Sequence, residues 1–374
     1  KQPSERLLEE MMTEGTMMLS GVDIDINFGE PLDIAGRMEK PVVKKVLGGE
    51  VGPDFDEDPR IFKPLQKVAR DMMQVYMERI YRGTTINHDH LFSSLLRKRP
   101  FRKFCSIDLY RAVFLVSEFL RENPAIEKNL HSSLRESQLH LLVDDRYNKG
   151  ANFIELALGC CCLIYDAGML KKYLQYWKQT PLFHRARIRN PTEVMANEIE
   201  PLAELQSSIR KVSRLPDFAI RMMIARRLYR QDQTTYREEY ETLDGSGKFE
   251  YAAGRPFLLP TCSFELGVVF VHSYLSLPAE VRECAELVRK EGAWVYGVRI
   301  PGHGTNPDVL SKMSWERWRE AVERGYALVT SLCRMVVIVG FSAGGVLALE
   351  LAARLDSVAW VVAICPPYSL DDYS

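Results

Sequence analysis

Residues 336–345, Val-Val-Ile-Val-Gly-Phe-Ser-Ala-Gly-Gly, decide the fold of the last third of this chain. Four β-branched residues in a row are typical of a strand that is covered on both faces of a sheet. A Gly-x-Ser-x-Gly sequence follows this run directly, and a segment with helical character comes next. Because a glycine lies two positions from Ser342 on each side, the pattern predicts a tight strand-to-helix turn that exposes the serine side chain.

Strands and helices alternate on both sides of this turn. Short apolar, β-branched runs lie at 268–271, 294–298, 336–339 and 358–364, and helical segments lie near 279–290, 315–332 and 344–354. Strands that alternate with helices of this length imply right-handed crossovers and a parallel sheet. We therefore predict an α/β fold, with a parallel sheet and flanking helices, over residues 265–374.

Three loops follow three of these strands, and parallel topology brings such loops to one edge of the sheet. The loops are 271–274 (Val-His-Ser-Tyr), 299–305 (Arg-Ile-Pro-Gly-His-Gly-Thr) and the turn at Ser342. We predict that Ser342 is a nucleophile. The main-chain N–H groups of Ala343, at a helix N-terminus, and of Tyr274 are the predicted donors to the oxyanion of a tetrahedral intermediate.

In this order, the motifs resemble the bacterial carboxylesterase and monoacylglycerol lipase branch of the α/β-hydrolases. That branch carries strand-His-Gly-aromatic, then Gly-His-Gly-Thr, then Gly-x-Ser-x-Gly, and its next strand ends in Cys-x-Pro before a lid, as 364–368 does here. Ser273 stands in place of the usual glycine, and we expect it to reshape the oxyanion loop. The resemblance implies the N-terminal half of a hydrolase domain and a serine hydrolase acting on carboxylic esters of lipid-like substrates.

The same resemblance places the catalytic acid and histidine after the lid, beyond Ser374. His272 and His303 belong to motifs whose histidines the family uses structurally, so neither is the expected base for Ser342. The chain opens on Lys1 without an initiator methionine and ends just after a predicted strand. We therefore expect both ends to be internal to a longer protein, and the chain alone to be inactive.

The first two thirds of the chain follow other patterns. Residues 20–34 alternate apolar and polar side chains, which predicts a half-buried strand. Apolar residues then recur at helical spacing, with Pro124 and Pro191 among the breaks, and we predict a mostly helical region over 61–243. Stretches rich in glycine, proline and aspartate are predicted linkers, at 48–60 and 244–264.

The sequence Phe-Gly-Glu-Pro at 28–31 resembles the closing strand of glycerolipid acyltransferase domains, and 81–87 resembles the tail attached to such enzymes. This resemblance implies that residues 1–47 end such a domain, whose His-x-x-x-x-Asp motif would lie upstream of this chain. His140 and Asp145 have that spacing. Because they fall in a helical stretch without a preceding strand, we assign their spacing to chance.

The composition narrows the classes of partner. Forty-nine basic and 50 acidic residues leave a net charge of −1, which excludes a dedicated nucleic-acid binder. Basic clusters at 97–103 and 221–230 could attract anionic lipid, although such clusters are more often solvated faces. The eight cysteines form no C-x-x-C pair and no zinc spacing with histidine, so no metal and no other cofactor is predicted.

One apolar run, 156–165, is only half as long as the roughly 20 residues that cross a bilayer, and it predicts a buried helix or strand. We therefore expect a cytoplasmic protein, with peripheral association to a membrane left open. No pattern in the sequence indicates an oligomeric state.

Two other functions remain open. In the first, the principal activity transfers fatty acyl groups to a glycerol phosphate acceptor, and the hydrolase is an accessory domain; an upstream His-x-x-x-x-Asp after a strand would favour it. In the second, the hydrolase fold and the helical region form a non-catalytic binding scaffold. The lack of a histidine at the expected downstream place would favour that function.

Overall fold

The computed structural model describes residues 26–34, 36, 39, 41, 44, 59–173, 176, 190–241, 250–305 and 307–367. The chain divides into two compact units, Lys1–Ile86 and Asn87–Ser374. Among the described residues, no helix combines the length and the apolar character that crossing a membrane requires.

In the first unit, hydrogen bonds tie an irregular N-terminal segment to the end of helix α1 (Pro59–Arg82). Asn27 donates through Nδ2 to the carbonyl oxygen of Gly83 at 2.9 Å, and Arg79 donates through Nη1 to the carbonyl oxygen of Glu30 at 2.6 Å. The last carbonyls of a helix have no partner within the helix. The Asn27 side chain therefore supplies one just past the end of α1.

Residues 20–25 of the strand predicted within 20–34 lie outside the described residues. Residues 26–33, which are described, do not form a strand, and the side chains of Ile26 and Phe28 are exposed. The prediction of a half-buried strand is therefore wrong for this stretch. Alternation of apolar and polar residues does not supply the neighbouring strand that must pair with the main chain.

Helices dominate the first part of the second unit, as predicted. They are α2 (His88–Lys98), α3 (Ser106–Arg121), α4 (Pro124–Glu127), α5 (Ser132–Arg135), α6 (His140–Val143), α7 (Lys149–Gly159), α8 (Pro191–Glu198), α9 (Ala203–Ser213), α10 (Asp217–Glu241) and α11 (Tyr251–Gly254). Pro124 and Pro191, predicted as breaks, each open a helix, and the asparagine before each caps it with its side chain.

A small antiparallel sheet accompanies these helices, in the order β1-β3-β2. Its strands are β1 (Lys103–Phe104), β2 (Leu163–Asp166) and β3 (Met169–Lys172). The apolar run 156–165, predicted as one buried helix or strand, instead contains the end of α7, a turn and the start of β2. Ile164 and Tyr165 within it are exposed.

The last part of the unit forms a five-stranded sheet flanked by helices. Its elements are β4 (Phe257–Leu259), β5 (Leu266–Val271), a 3-10 turn (Pro278–Val281), α12 (Arg282–Lys290), β6 (Trp294–Val298), α13 (Pro307–Ser311), α14 (Trp315–Leu332), β7 (Met335–Phe341), α15 (Ala343–Arg354) and β8 (Trp360–Ile364). The strand order is β4-β6-β5-β7-β8, and all neighbours are parallel except β4 and β6. The predicted α/β fold is confirmed.

The antiparallel edge strand β4 was not predicted. It lies in the segment 244–264, which the sequence indicated as a linker, and it pairs Phe257 with Gly297 of β6. Phe257 is buried, so this edge contributes to the core. The sheet therefore begins before residue 265.

The central strand β5 is covered on both faces. Val268 and Phe270 belong to one buried cluster with Ala285 of α12. On the opposite face, a Cβ added to Gly267 would overlap the side chain of Val329 in α14. A strand packed on both sides needs apolar residues at every position, which explains the continuous run in the sequence.

Helix α10 packs along α14 and is anchored there by a buried carboxylate. Asp232 accepts hydrogen bonds from the Tyr296 hydroxyl (2.5 Å) and from Arg324 Nε (2.6 Å). Burial, together with the nearby Asp232, raises the pKa of Tyr296 well above its usual value. Because a buried charge needs a partner, this contact fixes the position of α10 against the sheet.

A second anchor centres on Glu323 of α14, whose side chain is only 4% exposed. Its carboxylate accepts from Arg146 Nη2 at 2.8 Å and from Arg354 Nη2 at 2.5 Å. Asp144 accepts from the same two arginines, each at 3.0 Å. This network joins the end of α15 to the helical part of the unit.

We expect Glu323→Gln to lower the free energy of unfolding by about 2 to 4 kcal/mol, because arginines would then face a neutral amide in a buried site. Urea unfolding followed by circular dichroism measures the change. Glu155→Gln, on the exposed side of α7, is the matched control, with an expected change of less than about 0.5 kcal/mol. Equal effects of the two substitutions would contradict the assignment.

Candidate active site

Ser342 lies on the turn between β7 and α15, where the sequence predicted it. Its φ and ψ angles are +50° and −118°, a backbone conformation that residues with side chains rarely adopt. The Ser342 N–H donates to the carbonyl oxygen of Ile364 at 2.8 Å, and the Ser342 carbonyl accepts from Gly345 N at 2.9 Å. These bonds hold the strained serine between the end of β8 and the first turn of the helix.

Two glycines allow the turn to close. A Cβ at Gly340 would overlap main-chain atoms of Gly344 and lie 2.6 Å from the nitrogen of Gly345. A Cβ at Gly344 would overlap the carbonyl oxygen of His272 and lie 2.6 Å from that of Val271. The turn therefore lies directly against the end of β5, at a distance that only glycine permits.

Ala343, the first predicted oxyanion donor, is the first residue of α15. N–H groups in the first turn of a helix have no acceptor within the helix, and the helix dipole favours negative charge there. The Gly345 and Val346 N–H groups donate to the Ser342 carbonyl at 2.9 and 3.2 Å. The position of Ala343 fits the predicted role, which stays a prediction.

Tyr274, the second predicted donor, lies at the same edge of the sheet. It belongs to the loop 272–277, whose first carbonyl faces Gly344. Its ring is half exposed and packs against His303 and Trp318, with centroids 5.8 and 5.9 Å away. The structure thus brings Ser342, Ala343 and the Tyr274 loop together, while the donor role of Tyr274 stays a prediction.

Ser273, the departure from the family pattern, ties this loop to Glu280 in the 3-10 turn. Its N–H donates to Glu280 Oε2 at 3.0 Å, and its hydroxyl donates to Oε1 at 2.9 Å. Burial would raise the pKa of the Glu280 carboxyl, but hydrogen bonds from Ser273 and Ser276 bring it below its usual value. Sequence reasoning missed Glu280, whose only signal was an acidic residue seven positions after Ser273.

His272 is fully buried under this loop. Its Nε2 accepts from Ile300 N at 3.2 Å, so its Nδ1 carries the proton and donates to Ser273 O at 2.9 Å. Burial, helped by the neighbouring His303, lowers the pKa of His272 to about 3. A neutral histidine with both nitrogens engaged does not serve as a base for Ser342. This geometry agrees with the structural role expected from the sequence.

His303 packs among the rings of the site. Its ring centroid lies 5.1 Å from that of His272 and 5.4 Å from that of Trp318. Its Nδ1 lies 3.4 Å from the Pro301 carbonyl oxygen, and its Nε2 is buried without a hydrogen-bond partner among the described residues. Burial also lowers the pKa of His303. Its contacts are with the two loops that follow β5 and β6 and with Trp318 of α14.

His140 and Asp145, which share the spacing of the acyltransferase motif, lie inside the helical part. The His140 Nδ1 and Asp145 Oδ1 atoms are 3.6 Å apart, and both side chains are largely buried. His140 also approaches Gln138 Oε1, at 3.3 Å, which bonds to His88 at 2.6 Å. Because helix α5 rather than a strand precedes His140, the motif's required context is missing.

Acidic side chains neutralise part of each basic cluster. Arg97 and Lys98 share Glu200, and Arg227 pairs with Glu118 at 2.9 Å. Such pairing weakens the positive field that would attract anionic lipid. Peripheral membrane contact stays a prediction.

Parts of this chain are similar to known proteins. Residues 268–373 match the Alpha/beta hydrolase family. The chain is similar to the thermostable monoacylglycerol lipase of Bacillus sp. (strain H-257), with 32% identity over 127 residues, which cover 34% of this chain and 47% of the lipase. The match thus spans about half the length of that relative. A structure described as "LipS and LipT, two metagenome-derived lipolytic enzymes" is similar at 22% identity, over 30% of this chain and 45% of that chain, with a TM-score of 0.29.

This part of the chain has an α/β-hydrolase fold with a mostly parallel sheet, and its residues 268–373 are those that match the family. The matched residues 268–373 do not include 1–47, so the acyltransferase resemblance stays a prediction.

We expect Gly344→Ala to lower the free energy of unfolding by about 1 to 3 kcal/mol, because the added methyl group would push α15 away from the end of β5. Thermal unfolding of the purified protein measures this. Gly159→Ala is the matched control, since a Cβ there meets nothing within 4 Å. Equal melting temperatures for both variants and the unaltered protein would contradict the close approach of Gly344 to the end of β5.

The buried His272 predicts a specific dependence of stability on acid. Its pKa is about 3 in the folded protein and 6.5 ordinarily, so the unfolded chain binds an extra proton between these values. The stability from the neutral ring is complete above pH 6.5 and is lost as pH falls toward 3, by at most roughly 5 kcal/mol. We expect His272→Gln to flatten the fall in unfolding free energy between pH 6.5 and 4, measured by urea titration. An unchanged slope would contradict this.

Proposed function

We propose that this protein is a serine hydrolase that cleaves carboxylic esters of lipid-like substrates. One observation carries the proposal: Ser342 occupies a turn with φ of +50°, at the sheet edge where the Tyr274 loop meets the N-terminus of α15. A nucleophile elbow with a two-donor oxyanion hole requires this arrangement. The family match of residues 268–373 and the similarity to a protein named as a monoacylglycerol lipase support it.

In this mechanism the Ser342 hydroxyl attacks the ester carbonyl, the alcohol leaves, and water hydrolyses the acyl-enzyme. The N–H groups of Ala343 and Tyr274 stabilise the oxyanion, where loss of one donor costs about 10²- to 10³-fold in kcat. The base is a histidine oriented by an acid. Since His272 has both nitrogens engaged, we assign the base and the acid to the segment that the resemblance places beyond Ser374.

Exposed apolar side chains near the turn support a lipid-like substrate. Tyr274, Leu275 and Trp315 are 51%, 72% and 49% exposed. Leu275 follows Tyr274 in the loop, and Trp315 lies one helical turn before Trp318, which contacts the Tyr274 ring. Exposed apolar groups that cluster beside a site mark a surface for apolar ligands. We therefore propose an ester with a hydrocarbon chain.

The other two functions are outcomes of the same experiment. The acyltransferase function needs a His-x-x-x-x-Asp pair accessible to substrate, whereas His140 and Asp145 are largely buried. The resemblance to acyltransferase domains places that pair upstream of residue 1. The scaffold function depends on Ser342 having no base, which makes the serine unreactive.

A fluorophosphonate probe on the full-length gene product tests the proposal, because the probe bonds only to an activated serine. We expect labelling at Ser342, found by mass spectrometry of the tryptic peptide, and its loss in Ser342→Ala. Ser311→Ala, an exposed serine on α13, is the control and should label normally.

Failure to label the unaltered, folded protein would overturn the hydrolase and favour the scaffold function. Labelling that survives Ser342→Ala would place the activated serine elsewhere. Acyl transfer to glycerol 3-phosphate that persists in Ser342→Ala would support a separate acyltransferase site.

A further inference from the structure

Helix α10 (Asp217–Glu241) lies outside the residues that match the Alpha/beta hydrolase family, yet its last turns contact a loop of the candidate site. We propose that Glu239 of α10 is a positioning residue: it holds the loop 299–304 and, through that loop, keeps the oxyanion loop 272–277 in place beside Ser342. The role in catalysis rests on the proposed hydrolase function. The structural coupling between Glu239 and the loops 299–304 and 272–277 can be measured even in the absence of hydrolase activity.

Glu239 makes two contacts with the loop that follows β6. Its Oε2 accepts a hydrogen bond from Arg299 Nη2 and a second from the main-chain N–H of Gly302, at 3.2 Å. The Arg299 side chain is 3% exposed, and that of Glu239 is 17% exposed. A guanidinium buried to this extent needs a carboxylate partner. Glu239 therefore fixes both a side chain and a main-chain group of the loop.

Arg299 carries this constraint to the far end of the loop. Its Nε donates to the carbonyl oxygen of His303 at 3.1 Å, and its guanidinium lies over the ring of Tyr236 in α10, 4.8 Å from the centroid. Arg299 thus joins α10 to the loop by an ion pair, a hydrogen bond and a cation–π contact.

Tyr236 of α10 packs close to the loop 299–304. It is fully buried, and its hydroxyl donates to the carbonyl oxygen of Tyr251 at 3.2 Å. A Cβ at Gly304, where φ is +74°, would lie 3.0 Å from Leu277 and 3.6 Å from the Tyr236 ring. Helix α10, loop 299–304 and loop 272–277 are therefore closely packed at Gly304, where an added methyl group would require Leu277 to shift.

The loop 299–304 in turn supports the oxyanion loop. Ile300 N donates to His272 Nε2 at 3.2 Å, and the His303 ring packs against Tyr274 at 5.8 Å. The carbonyl oxygen of His272 lies against Gly344, two residues from the nucleophile. A continuous chain of contacts therefore connects Glu239 to the N–H groups predicted to bind the oxyanion.

The strength of an oxyanion donor depends on its distance from the developing charge, so a displacement of about 1 Å costs about 100-fold in rate. Substrate binding through apolar contacts is less sensitive to such a shift. Loosening the loop should therefore lower kcat more than it raises KM.

A general loss of stability is the alternative explanation for any effect, and α10 itself offers the comparison. Asp232 anchors the same helix through Tyr296 and Arg324, neither of which belongs to the loop 299–304. Glu238, next to Glu239 and exposed, offers the same chemical change without the buried contacts.

The experiment compares Glu239→Gln, Asp232→Asn and Glu238→Gln in the full-length gene product, with a soluble short-chain p-nitrophenyl ester. We expect Glu239→Gln to lower kcat by about 10- to 100-fold with KM changed less than about 3-fold, and to raise hydrogen exchange in the peptides that contain Gly302 and Tyr274. Asp232→Asn should lower the melting temperature. At assay temperatures well below that melting temperature, its kcat should stay within about 3-fold of the value for the unaltered protein. Glu238→Gln should match the unaltered protein. Glu239→Asp, which keeps the charge, should restore part of kcat.

Unchanged kcat and unchanged exchange of Gly302 in Glu239→Gln would overturn the proposal. So would equal losses of kcat in Glu239→Gln and Asp232→Asn at matched stability. If the unaltered protein neither reacts with the fluorophosphonate probe nor cleaves esters, the hydrolase function fails, and hydrogen exchange alone tests the structural coupling. Faster exchange confined to the loops 272–277 and 299–304 in Glu239→Gln would support the coupling. Unchanged exchange in both loops would overturn it.

Discussion

Close approach of two main-chain segments determines the rest of this structure: the turn at Ser342 lies directly against the carbonyl groups that end β5. Only glycine at 344 permits this contact. Because the turn at Ser342 must meet the end of β5, the strand before the turn, β7, has to be the parallel neighbour of β5. For the same reason α15 has to begin beside the loop 272–277. A serine with a strained φ angle persists only when its surroundings leave it no other conformation. Here the sheet on one side and the loop on the other provide that restraint.

Local patterns predicted β5 and β6 well because these two strands are covered on both faces. The run at 294–298 and the helix at 315–332 have the same bounds in the sequence analysis and in the structure. The edge strand Phe257–Leu259 escaped prediction because three residues cannot show a period of two. Its position depends on antiparallel pairing with β6, almost 40 residues later, which no local pattern records. The half-buried strand predicted near residue 28 failed for the related reason that alternation does not provide a partner.

The residues of the candidate site likewise fall into two groups, those that the sequence predicted and those that it did not. Ser342, Ala343 and Tyr274 were found from motifs because a turn, a helix start and a strand end are each encoded by a few adjacent residues. Glu280 and Glu239 were missed because each acts through a tertiary contact. Ser273 was expected to reshape its loop, yet nothing local identified Glu280 as the acceptor that it binds. Glu239 lies 60 residues before Arg299, in a region whose sequence indicated only helical structure.

Among the described residues, buried or half-buried ion pairs join the helical part of the second unit to the sheet and its helices. Asp232 meets Arg324, Glu239 meets Arg299, and Glu323 meets Arg146 and Arg354. Desolvation offsets much of the Coulomb attraction of such pairs, so they add little net stability, but a misplaced helix would leave a buried charge without its partner. The main effect of these ion pairs is therefore to select one arrangement of the helices against the sheet, and their effect on its stability is smaller. Apolar packing between α10 and α14 could tolerate a small slide, whereas a carboxylate that must reach both a guanidinium and the Gly302 N–H could not. For this reason we propose that the end of α10 that carries Glu239 supports the candidate site and is more than a connection to it.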